Sequence, residues 1–266
     1  MDDPDQLADA WFRSQSRLLA QTAAAARVPQ KVLGRRVTGL FRRLARHVDA
    51  TVTIEVGAYE AGFSRWAAAE LSARRVVAFE ANPYVYEHFR GELAGSGVDY
   101  VNSCIGPETG TVTLHIPEDR KGSSKDRVNK IASLSDAHIW TESYHEVDVP
   151  SVRLDDAVEL TPDDRVVAWI DVEHALRMVL DGSRATLARS SVVLVEVENT
   201  AVVEGQWIDV DVARWFRRIG LVPLARDAQQ PHQYNLLLVS TDLAEDPEVL
   251  RLAADVFRPF KRRKDH

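Results

Sequence analysis

The chain has 266 residues, of which 45% are hydrophobic, which is enough to bury the core of one large domain. Its formal net charge of -7 argues against a polyanion-binding surface, so we expect no nucleic-acid partner. The single cysteine, Cys104, excludes an internal disulfide, and no apolar run approaches the ~20 residues that span a bilayer. Together with an acidic N-terminus, these features predict a cytoplasmic protein without a membrane partner.

The first fifty residues have the apolar spacing of helices. Trp11 and Leu18 are in one such pattern, and Val37, Phe41 and Leu44 are in a second. We therefore predict an N-terminal helical extension over residues 1–50, which caps one end of the following sheet. The main domain is predicted over residues 51–242, and a C-terminal helix with a basic tail over residues 243–266.

From residue 51, apolar strands alternate with amphipathic helices. The predicted strands are Thr51–Val56, Arg75–Glu80, Val98–Ile105, Thr111–Ile116, Val166–Ile170, Ser191–Val197 and Tyr234–Ser240. The predicted helices are Phe63–Leu71, Pro83–Leu93, Ala175–Leu187 and Val210–Ile219. Nearly continuous apolar strands are typical of a doubly wound, mostly parallel α/β sheet of the Rossmann-like type, which binds ligands at the carboxyl ends of its strands. The polar stretch 117–146 is predicted as a loop, either closing over a substrate or lying on the surface.

The turn after the first strand is the strongest local signal. Glu55 lies near the end of the strand, and Gly57 and Gly62 enclose Ala58 and Tyr59 before a helix begins. A dinucleotide fingerprint needs glycine at the position of Tyr59, which also weakens the alternative of a nucleotide-dependent oxidoreductase. A phosphate-binding P-loop needs lysine where this chain has phenylalanine. The remaining pattern suits an amino acid moiety, although an ordinary strand-to-helix turn has the same features.

A second acid follows the next predicted strand. Glu80 lies about 20 residues beyond the glycine turn, which is where nucleoside-binding folds place the acid that accepts ribose hydroxyls. Ala81 and Asn82 come next, and Asn82 is predicted to cap the following helix, which starts with Pro83. The offset predicts an adenosine-containing ligand held by this segment.

These motifs together resemble the FkbM-type family of S-adenosylmethionine (SAM)-dependent methyltransferases. The resemblance rests on E-V-G-A-Y-x-x-G at 55–62, F-E-A-N-P at 79–83, N-S-C-I-G at 102–106, G-T-V at 110–112, S-L at 133–134 and L-D-D at 154–156. It implies O-methylation of sugars, polyketides and related metabolites, as in natural product biosynthesis, on a class I methyltransferase fold. It also implies that Glu55, Gly57, Ala58 and Gly62 surround the methionine moiety, that Glu80 holds the ribose, and that Ser103 and Cys104 lie near the adenine.

The segment after the predicted strand Val166–Ile170 contains the candidate catalytic residues Asp171, Glu173 and His174. Methyl transfer to a hydroxyl needs an aligned acceptor and a base for its proton. We expect Asp171 near the cofactor and Glu173 or His174 facing the acceptor.

This segment departs from the family pattern K-x-D-x-E-G-x-E. Trp169 replaces the lysine, His174 the glycine and Leu176 the second glutamate. Two interpretations follow. Either the site is retuned, with His174 as base, or it is degenerate and the protein acts in binding or regulation.

Two further acids, Glu196 and Glu198, lie at the carboxyl end of the predicted strand Ser191–Val197. With Asp171 and Glu173 they could form an oxygen-rich cage for a divalent metal ion, but their spacing does not require one. The sequence leaves open the identity of the small-molecule acceptor and whether the protein forms a homo-oligomer.

Overall fold

The computed structural model describes residues 4–118, 127–134 and 143–260. Among them, the helices are α1 (Pro4–Ala25), α2 (Gln30–His47), α3 (Gly62–Glu70), α4 (Pro83–Leu93), α5 (Leu154–Ala157), α6 (Leu176–Asp181), α7 (Arg184–Leu187), α8 (Asp209–Arg218), α9 (Thr241–Ala244) and α10 (Pro247–Ala254). The strands are β1 (Val52–Val56), β2 (Arg75–Glu80), β3 (Asp99–Asn102), β4 (Cys104–Ile105), β5 (Gly110–Pro117), β6 (Tyr144–Val152), β7 (Val166–Ile170), β8 (Ser190–Glu198), β9 (Leu221–Arg226) and β10 (Gln233–Ser240).

The chain forms two compact units. The first unit comprises Val48–Ser190 and Ala201–Trp207, and the second comprises Met1–His47, Ser191–Thr200 and Ile208–His266.

A mostly parallel sheet carries the fold, and its four strands in the first unit lie in the order β3-β2-β1-β7. All three pairings among these strands are parallel. Every residue of β1 is buried, as expected for a strand covered on both faces. Helix α3 contacts β1 and β2, and α4 contacts β2 and β3. The predicted doubly wound α/β class is confirmed.

A smaller sheet in the first unit has the order β4-β6-β5. The sequence analysis predicted one strand over Val98–Ile105, and this was wrong. The chain leaves the large sheet at Ser103, whose N–H donates to the Glu80 carbonyl at 3.1 Å. Cys104 then pairs with Ser151 of β6. The chain therefore passes from the large sheet to the small sheet within one apolar run. The hydrophobic periodicity of the sequence does not show where this change occurs.

The predicted helix Ala175–Leu187 is also interrupted. It divides into α6 and α7, separated by Gly182 and Ser183. A Cβ on Gly182 would lie 1.8 Å from the carbonyl oxygen of Gly106. The Gly182 carbonyl in turn accepts the N–H of Asp155 at 3.1 Å. The interruption is where the chain fits closely against the loop at Gly106 and the start of α5 in the same unit.

The second unit contains the predicted N-terminal helices. Helix α1 contacts α8 and β9, and α2 contacts β10. Buried Tyr234 donates its hydroxyl to Asp209 at 2.8 Å, and the Arg226 guanidinium stacks on the Tyr234 ring, 3.3 Å from its centroid. Arg226 also donates to the hydroxyl of Ser16 on α1 at 2.7 Å. This polar cluster therefore connects α1 to β9, β10 and α8.

Strands β8, β10 and β9 of the second unit are antiparallel neighbours in that order. The sequence analysis missed β9, because Pro223 lies in the middle of it. The pairing of β9 with β10 shifts register between Leu237 and Leu238, so that Leu238 is opposite Pro223. Proline occurs in strands at edges and bulges, which is the setting found here.

The predicted loop 117–146 is shorter than the sequence suggested, since Pro117 ends β5 and Tyr144 begins β6. The extra strand expected at Thr111–Ile116 is confirmed as part of β5. The rest of the loop lies outside the described residues, except residue 118, residues 127–134 and residue 143. Within the described part of the chain, no helix combines the length and apolar character needed to cross a bilayer.

The contact at Gly182 yields a stability prediction. Gly182→Ala places a methyl group against the Gly106 carbonyl, and such overpacking costs about 1–3 kcal/mol or more. Urea denaturation is expected to give a lower midpoint with an unchanged slope. Gly91→Ala is the matched control, because Gly91 lies in α4 with no atom within 4 Å of its added Cβ. The control is expected to gain up to about 1 kcal/mol from helix propensity. Equal stability of the two variants would contradict the close fit.

Candidate functional site

The carboxyl ends of β1, β2 and β7 meet at one edge of the sheet because these strands are parallel and in register. Val56 is opposite Phe79 of β2 and Ile170 of β7. Beyond β1, the N–H groups of Gly57 and Ala58 both donate to the Phe79 carbonyl at 3.0 Å. The residues that follow each strand are therefore close neighbours.

Gly57 is required by the backbone of the neighbouring strand. It has a φ of 76°, and a Cβ there would lie 1.8 Å from the Asp171 carbonyl oxygen. The Asp171 N–H donates to the Val56 carbonyl at 2.9 Å, which fixes this approach. The resemblance placed Gly57 beside the methionine moiety, but a contact within the protein already demands glycine at this position. At Gly62 no such demand exists, since the nearest atom to an added Cβ is 3.9 Å away.

The rest of the turn has left-handed backbone at residues that usually avoid it. Tyr59 has a φ of 47° and Ala61 a φ of 53°, a conformation that costs about 1–2 kcal/mol for each. Hydrogen bonds at Tyr59 help to hold the turn: its N–H donates to Glu80 at 2.7 Å, and the Tyr100 hydroxyl donates to its carbonyl at 2.5 Å. The Ala58 side chain is buried in a small apolar cluster with Ala61, so Ala58 offers its backbone to the edge of the sheet.

Glu55 caps α3 from within the preceding strand. Its carboxylate accepts the N–H groups of Phe63 at 3.2 Å and Ser64 at 2.8 Å. Ala61, at the cap position, supplies no side-chain hydrogen bond, so Glu55 takes that role. Burial raises the pKa of Glu55 to about 7, against the effect of these donors, and the charge of Asp171 raises it further.

Glu80 is the second buried carboxylate at this edge. Its oxygens accept the N–H groups of Tyr59 at 2.7 Å and Asn82 at 2.8 Å. Burial raises the pKa of Glu80 to about 7 despite these donors, and the charge of Glu55 adds to the shift. Glu55, Glu80 and Asp171 therefore make one zone of negative potential at the ends of β1, β2 and β7.

Asn82 has the predicted role of helix cap. Its Oδ1 accepts the N–H of Tyr84 at 3.0 Å and that of Val85 at 3.4 Å. Its amide nitrogen donates to the carbonyl of Arg127 at 2.9 Å, which ties the segment 127–134 to the start of α4. Ala81 is half-buried and packs against an apolar cluster that contains Cys104.

Ser103 and Cys104 lie where the chain passes between the two sheets. The Ser103 hydroxyl donates to the Pro150 carbonyl at 3.1 Å. Burial raises the pKa of Cys104 to about 12, and the charge of Glu80 adds to this. The thiol is therefore a packing group without nucleophilic character at neutral pH.

The segment after β7 brings Glu173 and His174 together. Their side chains approach to 3.8 Å between Glu173 Oε2 and His174 Nε2. The Ser133 hydroxyl donates to the Glu173 carbonyl at 2.9 Å. Burial lowers the pKa of His174, so the imidazole is neutral at physiological pH. His174 has a left-handed φ of 56°, at the position where the family motif has glycine.

Gln206 is a neighbour of this pair that the sequence analysis missed. Its side-chain nitrogen lies 3.2 Å from His174 Nδ1, across 32 residues of sequence. No local pattern marks a glutamine in a loop, so only the fold reveals the contact. Trp169, at the lysine position of the family motif, stacks on Phe63 with ring centroids 5.9 Å apart.

Basic and aromatic side chains from the described part of the polar stretch converge beside the turn. The Lys130 ammonium lies 4.5 Å from the ring centroid of Tyr59. The Arg127 guanidinium lies 5.4 Å from the ring centroid of Tyr84, whose hydroxyl is 2.9 Å from His145 Nε2. These contacts place residues 127–134 and 145 beside the turn and the start of α4.

The predicted metal-cage acids Glu196 and Glu198 belong to the second unit, and the metal site stays a sequence-based prediction. The remaining predicted site residues all belong to the first unit, at or beside the sheet edge: Glu55, Gly57, Ala58, Tyr59, Gly62, Glu80, Ala81, Asn82, Ser103, Cys104, Asp171, Glu173 and His174.

The family model for the methyltransferase FkbM domain matches residues 55–222 of this chain. The chain is also similar to solved structures. The methyltransferase domain of bacterial CtHen1 is 10% identical with a TM-score of 0.42, and the alignment covers 78% of this chain and 99% of that one. Precorrin-6y C5,15-methyltransferase from Geobacter metallireducens is 14% identical with a TM-score of 0.35, and the alignment covers 71% of this chain and 79% of that one. M. capricolum TrmK in complex with S-adenosyl-homocysteine is 9% identical with a TM-score of 0.37, and the alignment covers 74% of this chain and 67% of that one. No curated protein sequence matches the chain.

The raised pKa of Glu80 predicts a pH dependence of stability. In the folded protein the pKa is about 7 rather than the ordinary 4.5, so the folded state binds more protons than the unfolded state between these values. This contribution is present in full below pH 4.5 and is lost as the pH rises through 7. Gln cannot ionise, so the free energy of unfolding of the wild type is expected to fall relative to that of Glu80→Gln between pH 5 and pH 8.

The measurement is urea denaturation of both proteins across this pH range. Glu87→Gln serves as control, because Glu87 is exposed on α4. Parallel curves for the wild type and Glu80→Gln would contradict a raised pKa at Glu80.

Proposed function

Because the chain belongs to the FkbM family and is a SAM-dependent methyltransferase, we propose that it methylates a hydroxyl group of a small metabolite, sugar or glycoside. The observation that carries this proposal is the zone of buried carboxylates at the sheet edge. Glu55 and Glu80 are each less than 10% exposed, and burial raises both pKa values to about 7. A cationic ligand offsets the cost of keeping buried carboxylates ionised.

The residues at this edge fit SAM, which carries a positive sulfonium and a zwitterionic amino acid group. Glu55 and Asp171 supply negative potential beside the Gly57–Gly62 turn, for the cationic groups. The Glu80 carboxylate accepts the backbone N–H groups of Tyr59, Asn82 and Ala81. A carboxylate has about four lone-pair sites, so one is left to accept a ribose hydroxyl. Ser103 and Cys104 follow β3 and are assigned to the adenine side.

Bound SAM supplies an electrophilic methyl group that the acceptor oxygen takes as the sulfur–carbon bond breaks. The protein has to align the acceptor and receive the hydroxyl proton. One member of the pair Glu173 and His174 is proposed to receive the proton, since both lie within four residues of the end of β7 and follow Asp171. Lys130, Arg127 and the rings of Tyr59 and Tyr84 are proposed to bind an acceptor with polar and ring-shaped parts.

The cofactor assignment is tested by calorimetric titration with S-adenosylhomocysteine, with NAD as control. Binding of the first and not of the second is expected. Glu80→Ala is expected to weaken this binding by at least tenfold, because the ribose loses its acceptor.

Two controls accompany that titration. Glu87→Ala, on the exposed face of α4, is expected to bind as the wild type does. Circular dichroism reports whether Glu80→Ala is folded, since Glu80 also holds the Tyr59 turn. A folded Glu80→Ala variant with unchanged affinity would remove Glu80 from the cofactor site.

The reaction is tested by transfer of a labelled methyl group from SAM to a panel of hydroxylated sugars and aromatic metabolites, with amines and RNA as competing acceptors. Product only from hydroxyl compounds is expected. Glu173→Gln keeps the size of the side chain but cannot take a proton, so kcat is expected to fall by about 10²–10⁴-fold with little change in cofactor affinity. Methylation confined to amines or RNA would overturn the O-methylation proposal. Binding of SAM without transfer to any acceptor would favour the degenerate site.

A further inference from the structure

Gln206 has an amide whose orientation is determined by its neighbours. Its Oε1 lies 2.8 Å from the backbone nitrogen of Val202 and 3.3 Å from that of Val203. Backbone N–H groups only donate, and an amide nitrogen does not accept a hydrogen bond. The oxygen of the Gln206 amide must therefore face these two groups, and the NH₂ must face the other way.

The NH₂ group of Gln206 faces the imidazole of His174. The distance from Gln206 Nε2 to His174 Nδ1 is 3.2 Å. Because the amide nitrogen donates, Nδ1 has to accept with its lone pair. A neutral imidazole with an unprotonated Nδ1 carries its proton on Nε2. The loop at 202–206 thus sets which nitrogen of His174 is protonated.

The protonated nitrogen of His174 lies near Glu173 but beyond hydrogen-bond distance from it. The distance between His174 Nε2 and Glu173 Oε2 is 3.8 Å, and the imidazole side chain is only 4% exposed. His174 maintains this arrangement with a left-handed φ of 56°, which costs about 1–2 kcal/mol in a residue other than glycine. Such strain persists where the surroundings over-determine the conformation, and it concentrates at functional sites.

We propose that Gln206 holds His174 as the Nε2–H tautomer, so that the imidazole presents an N–H rather than a lone pair to the side of Glu173, and that Glu173 receives the proton of the acceptor. His174 and Gln206 are then positioning residues. Neither nitrogen of His174 is available as a base in this state, because Nδ1 accepts from Gln206 and Nε2 already carries hydrogen. The assignment of Glu173 rests on the proposed function, whereas the tautomer of His174 is independent of it.

The tautomer can be observed directly by ¹⁵N NMR of the full chain labelled at its eight histidines. His174 is assigned by the signals missing from His174→Gln. Above neutral pH, Nδ1 of His174 is expected to have the chemical shift of an unprotonated nitrogen, and Nε2 that of a protonated one. The reverse pattern in the wild type would overturn the proposal, with no variant needed.

Gln206→Glu provides the matched variant, because it replaces only the NH₂ by an oxygen. One carboxylate oxygen still accepts from Val202 and Val203, and the other now requires a donor at His174 Nδ1. We expect Nδ1 to become protonated in this variant at the pH where it is unprotonated in the wild type. The same protonation state of Nδ1 in both proteins would overturn the role of Gln206.

Titration with S-adenosylhomocysteine separates this inference from the proposed function. Both the wild type and Gln206→Glu are expected to bind it equally, since Gln206 is not assigned to the cofactor. If the wild type fails to bind, the proposed function is wrong while the NMR result still decides the tautomer. In a methyl-transfer assay, Gln206→Glu is expected to lower kcat at least tenfold with little change in KM, and unchanged kcat would overturn the positioning role.

Discussion

The approach of two strand ends governs the whole candidate site. At Gly57, the Asp171 carbonyl oxygen occupies the space where any Cβ would lie, so only glycine lets β1 and β7 stay this close beyond Val56. The turn then enters the left-handed region, and Tyr59 and Ala61 remain in it. From this turn the N–H of Tyr59 reaches Glu80, and α3 starts where Glu55 can cap it. One backbone contact therefore underlies the placement of both buried carboxylates.

The same carboxylates give the edge of the sheet an unbalanced charge. Backbone N–H groups satisfy Glu55 and Glu80, but burial still raises both pKa values to about 7. Under the proposed function, a sulfonium ion relieves this imbalance more than the neutral thioether that remains after transfer. The acids would then favour the reactant form of the cofactor over the product form, and so favour product release.

Much of this arrangement could be predicted from local patterns, and the remainder depends on contacts between distant segments. The strands β2 and β7 and the helix α4 have the predicted bounds, because apolar runs and an Asn-Pro start are local signals. The breaks at Ser103 and Gly182 were missed because each reflects a fit against another part of the chain. The predicted site residues gather at one edge because parallel strands end together. Gln206 was not predictable, since its partner lies 32 residues away and no motif contains it.

Pro223 in β9 bears on how the protein behaves at high concentration. Among the strands of the described residues, β9 lies at the end of the sheet order beside β10, so its other side resembles a template for a further strand. Proline lacks the N–H that such pairing needs, and the register shift beside it disturbs the regular spacing of the remaining groups. Edge strands with these two features resist addition of another molecule's strand, which is a common route to aggregation. The residue that concealed β9 in the sequence therefore also makes β9 a poor template for another molecule's strand.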